Sequence, residues 1–368
     1  MASRSVIIKL GTSTLTAGTA RLSAPRLVEL VRQMASLRQD GWAVMVVSSG
    51  AIAAGRERLN FPVLPKNIPD KQMLAAVGQP RLMGLYEQLF GLYGITVAQV
   101  LLTRSDLADR RRYLNSRNTL IALLAQGVIP IVNENDTVAT EEIRFGDNDN
   151  LSAMAANLIE ADLLFLLTDQ PGVFTADPRR DPTARLIDEV QTPDIPAELW
   201  QAAGGTANGL GTGGMLTKLQ AADLARRSGT MVLIARGSEP DVITRLAAGD
   251  RIGTRFQAVD TTLESRKRYI LAGGRAVGLL AIDDGALSAL RNGSSLLPVG
   301  VSGVEGEFER GDPVRVVNSG GREVARGLVN YSSADLARIL GQRSDLIESI
   351  LGYAYGDEAI HRNNMVLI

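Results

Sequence analysis

VIIKLGTST, Val6 to Thr14, places an apolar run directly before a turn of glycine and hydroxyl side chains. The run shows no alternation of polar and apolar residues, so it suits a strand covered on both faces, as in a parallel sheet. The same texture recurs outward from it at Val44–Val47, Val97–Leu102, Val128–Val132, Leu163–Leu167 and Met231–Ile234. Between these runs lie helical patterns. After Ser23, a candidate N-cap, apolar residues fall at Leu27, Leu30, Val31, Met34 and Leu37; Met215, Leu219 and Ala222 repeat the spacing later. Alternating strands and helices predict an α/β fold: an open, mostly parallel sheet sandwiched by helices.

The regular pattern breaks into Pro- and Gly-containing sequence over 181–214, which predicts a surface excursion. The charged run Glu264–Arg268 marks a junction, and beyond residue 275 short β-like pieces are punctuated by turns such as Asn318–Gly321. The chain's 368 residues exceed one typical domain of ~100–200 residues. Two domains are expected: a catalytic α/β domain over 1–260 and a small β-rich domain over 275–368.

Composition narrows the chemistry. Hydrophobic residues make up 45%, and 39 basic against 40 acidic side chains leave a net charge of −1. That is globular composition without a chain-wide footprint for nucleic acid or an anionic membrane. No apolar run approaches the ~20 residues that span a bilayer, and the N-terminal apolar stretch is too short for a secretory signal; a cytoplasmic protein is expected. With no cysteine, thiol nucleophiles and thiolate metal sites are excluded. A single histidine, His361, makes a Ser-His-Asp triad or a multi-histidine metal site untenable. Only five of the 39 basic residues are lysines: Lys9, Lys66, Lys71, Lys218 and Lys267. Two of them, Lys9 and Lys218, stand in Gly/Ser/Thr-rich segments, where a compact ammonium differs in kind from a guanidinium fork.

Five segments could carry chemistry. KLGTST (Lys9–Thr14) follows a strand, at the edge where open α/β sheets bind ligands; its backbone amides can form an anion nest beside the Lys9 charge. VVSSGAIAAG (Val46–Gly55) runs from a strand through Ser48, Ser49 and Gly50 into a helix whose small residues admit a ligand. Val132–Asn150 holds Glu134, Asp136, Glu141, Glu142, Asp147 and Asp149 against Arg144 alone, a field suited to an ammonium group or a divalent cation. It is not an EF-hand, because Ser152 stands where that loop requires glycine. LLTDQPGVFTADP (Leu166–Pro178) ends another strand in Thr168 and Asp169. GLGTGGMLTKLQAA (Gly209–Ala222) sets four glycines in six residues before an amphipathic helix, with Lys218 near its first turn. The helix dipole disfavours a cation there by ~0.3–1 kcal/mol unless an anion sits beside it. No Gly-Lys dipeptide occurs, so this is not a Walker A loop. Each segment taken alone also fits an ordinary turn or cap. Together they suit phosphoryl transfer, which needs positioned reactants and positive charge on the transferring group. An aspartate between the two lysines could hold both ammonium groups. A carboxylate acceptor, already ionised at neutral pH, would need no histidine.

KLGTSTLT, SSGAIAAGRE, AAVGQPRL, NENDTV, GDNDNLSA, LTDQPGVFTADP and LGTGGMLTK, in this order, resemble the amino-acid kinase family, in particular its glutamate-phosphorylating branch. GSSLLPVGV, FERGDPVRV and ILGYAYG resemble the PUA domain that many bacterial members carry. The resemblance implies the amino-acid kinase fold and ATP-dependent phosphorylation of the side-chain carboxylate of L-glutamate, the first step of proline biosynthesis. It implies that Lys9 and Lys218 stabilise the transferring phosphoryl group and that Asp149 orients them. Ser49, Asp136 and Asn148 would bind glutamate. Thr168, Asp169, Thr212, Gly213, Gly214, Met215, Leu216, Thr217 and Lys218 would bind ATP together with Lys9, and Mg²⁺ would ride on the ATP phosphates. The family's loop often has a polar residue where this chain has Leu216, so a backbone cradle is implied there. Feedback inhibition by proline and a homo-oligomer, dimer or tetramer, are implied as well. Acetylglutamate, aspartate and uridylate kinases would share the ATP half; the loop NENDTV…GDNDN and the PUA-like tail favour the glutamate branch. The tail alone would suit an RNA-binding protein, but from Arg266 onward it holds 12 basic and 12 acidic residues, which argues against binding to a phosphate backbone.

Overall fold

The computed structural model describes residues 4–60, 63, 65, 67–139, 148–204, 214–259 and 276–368. The chain divides into two compact units, one of residues 1–108 and 115–261, the other of 109–114 and 262–368. The charged run Glu264–Arg268 lies outside the described residues.

The first unit is built on an eight-stranded sheet. Its strands are β1 (Ser5–Leu10), β2 (Ala43–Ser48), β3 (Val97–Leu102), β4 (Ile129–Glu134), β5 (Leu163–Thr168), β6 (Glu189–Val190), β7 (Met231–Arg236) and β8 (Thr254–Phe256). They lie in the order β3-β4-β2-β1-β5-β7-β8-β6, and all pairs are parallel except β7–β8. The central strands β1, β2 and β5 are buried along nearly their whole length. This explains their unalternating Val/Ile/Leu sequences: helices cover both faces. One layer of the core joins Ile8, Leu10, Val46 and Phe165 to Leu30, Met34, Leu82 and Tyr86.

The helix Ala24–Gln39 forms as its periodicity predicts, burying Leu27, Leu30, Val31, Met34 and Leu37. Ser23 stands at its N-cap, but the side chain makes no capping bond; Pro25 helps start the helix instead. Helices Ala51–Leu59 and Ile68–Gly91 cross closely. A Cβ placed on Gly78 would lie 1.8 Å from the carbonyl oxygen of Ala51, so only glycine permits this approach. Of the expected surface excursion over 181–214, residues 205–213 lie outside the described residues, and the part before them is more than a loop. Its β6 extends the sheet beside β8, and the helix Ala197–Ala202 follows. A two-residue strand carries no readable period, so the sequence could not announce it.

The second unit holds a five-stranded sheet of β9 (Gly278–Ile282), β10 (Val301–Glu305), β11 (Pro313–Val317), β12 (Glu323–Leu328) and β13 (Met365–Leu367), ordered β10-β9-β11-β12-β13. Only the β9–β11 pair is parallel. Asn318–Gly321 closes the β11–β12 hairpin. Leu280, Ile282, Val314, Val316, Tyr331 and Ile347 form its separate core.

Candidate active site

The carboxyl ends of β1, β2, β4 and β5 deliver polar residues to one edge of the first sheet. Lys9 is the fifth residue of β1, in register with Val47 of β2 and Leu166 of β5. After Leu10 the chain turns at Gly11 into the short helix Thr12–Thr16, where the sequence suggested only a turn of glycine and hydroxyl residues. The helix Asn148–Ile159 brings Asp149 in its first turn, and the helix Met215–Arg226 brings Lys218.

These three side chains meet. Lys9 Nζ lies 2.5 Å from Asp149 Oδ1, and Lys218 Nζ lies 3.1 Å from Oδ2. Thr217 Oγ1 donates to the same Oδ2 at 2.8 Å. All three charged groups are buried, Lys9 5%, Lys218 6% and Asp149 1% exposed. Water therefore screens them little, and the net positive charge of the trio is left for an incoming anion. Burial pushes the Asp149 carboxyl upward, but the two ammonium groups and Thr217 more than reverse this and hold it well below the ordinary carboxylate range. Burial pulls Lys218 below the usual lysine value; Lys9 adds to that fall and Asp149 opposes it.

Beside the trio opens a cavity of about 950 Å³ lined by Thr168, Asp169, Gly214, Met215 and Lys218, with Phe174 and Gln201 among its farther walls. Thr168 Oγ1 donates to Asp169 Oδ1 at 3.0 Å. Gly214 is the N-cap of the helix Met215–Arg226, and it lines the cavity with Met215, so the start of this helix, whose first amides have no intrahelical partner, borders the cavity. Thr212 and Gly213 lie outside the described residues. Leu216 is half-buried within the first turn of that helix.

On the other flank, Asn148 Nδ2 donates to Ser49 Oγ at 2.9 Å, joining two residues that are 99 apart in sequence. Gly50, which caps the helix Ala51–Leu59, has φ of +107°, and its turn leaves Ser49 at the strand edge. Asp136 stands in the turn just after β4, half-buried, with no hydrogen bond among the described residues. Burial raises its carboxyl to about 6. Glu141, Glu142, Arg144 and Asp147 of the acidic loop lie outside the described residues.

Sequence reasoning quoted Ser48 and, within NENDTV, Asn133, but assigned no role to the layer they form with Gln79 and Tyr86 beneath Ser49 and Asn148. Asn133 Oδ1 accepts from Asn148 Nδ2 at 2.9 Å, and Asn133 Nδ2 donates to Gln79 Oε1 at 2.9 Å. The Ser48 and Tyr86 hydroxyls pair at 2.8 Å. A signal existed for one of these: Asn133 interrupts an otherwise apolar strand just before its end.

A strand-edge site with two ammonium groups on one buried carboxylate, beside a nucleotide-sized cavity, defines a class of phosphoryl-transfer enzyme. The profile of the Amino acid kinase family matches residues 4–236, and that of the PUA domain matches 278–351. The chain belongs to the amino acid kinase family. Within it, the chain is 58% identical over 366 residues to the glutamate 5-kinase of Photobacterium profundum, covering 99% of this chain and 96% of that one. It is 57% identical over 366 residues to the glutamate 5-kinase of Shewanella amazonensis, with the same coverage. Among solved structures, the UMP kinase of Ureaplasma parvum aligns over 70% of this chain and 100% of its own at 14% identity, with a TM-score of 0.47.

Proposed function

We propose that this chain transfers the terminal phosphoryl group of ATP to the side-chain carboxylate of L-glutamate, giving L-glutamyl 5-phosphate and ADP at the start of proline biosynthesis. The observation that best supports this is the convergence of Lys9 and Lys218, from separate strand–helix units, on the buried Asp149. Phosphoryl transfer is driven by positioning and by charge on the equatorial oxygens of the moving group. Lys9 and Lys218 supply that charge, and Asp149 holds both ammonium groups in place beside the cavity. A glutamate carboxylate oxygen attacks the terminal phosphorus, and the bond to the ADP oxygen breaks. The acceptor is ionised at neutral pH, so no general base is required, in keeping with a chain whose one histidine is His361.

Ser49 and Asn148 receive glutamate at the strand edge, and Asp136 faces its ammonium group. Thr168, Asp169 and the segment Thr212–Lys218 bind ATP, with the nucleotide in the 950 Å³ cavity. Mg²⁺ neutralises phosphate charge when bound. Among the described residues no group of three carboxylate or histidine ligands could cage it, and Asp149 already serves two lysines. The ion's fit is therefore to the phosphate oxygens and water, as suits a cation that keeps several waters. Proline acts as a feedback inhibitor, and the chain works as a homo-oligomer in the cytoplasm. Among the described residues no helix is long and apolar enough to cross a membrane.

The test is incubation with ATP, L-glutamate and hydroxylamine, with aspartate and acetylglutamate in parallel. An acyl phosphate is trapped as a hydroxamate. A hydroxamate from glutamate alone is expected; an equal or greater yield from either rival acceptor would overturn the assignment.

A further inference from the structure

The amides beneath Ser49 form a chain whose polarity is dictated by backbone groups. The Glu134 backbone N–H, which can only donate, points to Asn133 Oδ1 at 2.9 Å, so that atom is the oxygen. Asn148 approaches the same oxygen at 2.9 Å and the Ser48 backbone carbonyl at 3.3 Å. Both of these accept, so the Asn148 atom between them is the amide nitrogen. Asn148 Oδ1 is therefore turned the other way. It is buried, and it has no hydrogen-bond partner among the described residues. An acceptor in that state bears its desolvation cost until a donor arrives.

The other end of the chain follows from the same logic. Asn133 Nδ2 must donate, and it finds Gln79 Oε1 at 2.9 Å. Gln79 Nε2 then donates to Gln99 Oε1 at 3.2 Å, Gln99 being the exposed residue of the edge strand β3. Asn133 and Gln79 are buried, 2% and 8% exposed, so neither amide can exchange its partner for bulk water. Gln79 lies on the helix Ile68–Gly91, which also sends Tyr86 to Ser48.

We propose that Gln79 is a positioning residue for the substrate's α-ammonium group. It acts through Asn133, holding Asn148 so that its unpartnered carbonyl is presented to the ammonium N–H of glutamate. The proposal rests on the reading above that Asn148 receives glutamate. An ammonium group is a donor only, so an amide turned the wrong way would set donor against donor. The Glu134 N–H and the Ser48 carbonyl already disfavour that alternative, and the Gln79 carbonyl reinforces them by accepting from the far end of the Asn133 amide.

The experiment uses the full-length enzyme and separates the two readings. Gln79→Leu, with Gln79→Met as a second variant of similar length, removes the acceptor. The KM for L-glutamate should rise about tenfold while that for ATP stays within about twofold. Gln79→Glu keeps an acceptor oxygen and should restore the glutamate KM to within about threefold of the parent. Glutarate, which is glutamate without its amino group, is the probe for specificity: its inhibition constant should be unchanged in Gln79→Leu, because it has no ammonium to lose. An Asn148→Ala variant with an unchanged glutamate KM would refute the placement of glutamate itself. If Asn148→Ala weakens glutamate but the Gln79 variants do not, or if they weaken glutarate equally, the positioning role is overturned.

Discussion

Replacing Asp149 by asparagine tests the centre of the proposed mechanism. The change keeps shape and removes one charge from between two buried ammonium groups. At 2.5 and 3.1 Å and an effective dielectric of about 20, each ion pair is worth ~5–7 kcal/mol before the cost of desolvation. Most of that is offset by taking three ions out of water, but breaking a buried pair still costs about 3–5 kcal/mol. In the variant the lysines repel each other and move off the phosphoryl position. A loss of ~4 kcal/mol of transition-state stabilisation corresponds to a kcat lower by about 10³-fold. The pH profile carries a second signature. In the parent, Asp149 is held below the ordinary carboxylate range, so its contribution is present above the unfolded value of about 4 and is lost only as pH falls well below it. In the variant, Lys218 keeps the burial that lowers its pKa and loses the carboxylate that raises it. Its ammonium form is then lost at lower pH than before, and the residual kcat should decline with rising pH at lower pH and more steeply than in the parent. The assay is steady-state hydroxamate formation at saturating glutamate and ATP, with thermal denaturation to confirm the fold. A kcat within fivefold of the parent, or a residual activity that follows the parent's pH profile, would refute the reasoning.

Lys218→Ala should lower turnover by at least about 10²-fold, ~2.7 kcal/mol of barrier, with the fold intact by circular dichroism; unchanged turnover would remove Lys218 from the mechanism. Asp136→Ala should raise the KM for glutamate far more than that for ATP, and an equal rise in both would contradict an ammonium-binding role. Because burial raises Asp136 to about 6, its carboxylate is lost as pH falls through that value. The parent's glutamate KM should therefore climb between pH 7 and 5, and Asp136→Asn should flatten that dependence.

Much of the fold was legible because each buried parallel strand writes itself as an apolar run. Val97–Leu102 emerged with the bounds read from its sequence; β1, β2 and β4 differ from theirs by one or two residues at each end, and β5 and β7 only at the C-terminal end. The short strand β6 and the helix Thr12–Thr16 were not legible, because neither is long enough to show a period. Part of the site was legible for a different reason. Lysine is scarce here, so Lys9 and Lys218 beside glycine-rich turns stood out, and Ser49 and Asp169 marked the ends of apolar runs. Gln79 and Tyr86 could not stand out. They sit within a helix as ordinary polar and aromatic residues, and nothing in their neighbours shows that they face Asn133 and Ser48.

The order of strands and helices, the chemical types available for catalysis and the segments that end at a strand edge were all properties of the sequence alone. They arise from local periodicity and from composition, which need no distant partner. The meeting of Lys9, Asp149 and Lys218 was decided only by the tertiary structure, as were the roughly 950 Å³ cavity and the backbone-imposed direction of the Asn133–Asn148 amides. Distances and hydrogen-bond polarity between side chains on separate strands and helices depend on strand register and helix packing, which a linear pattern does not record.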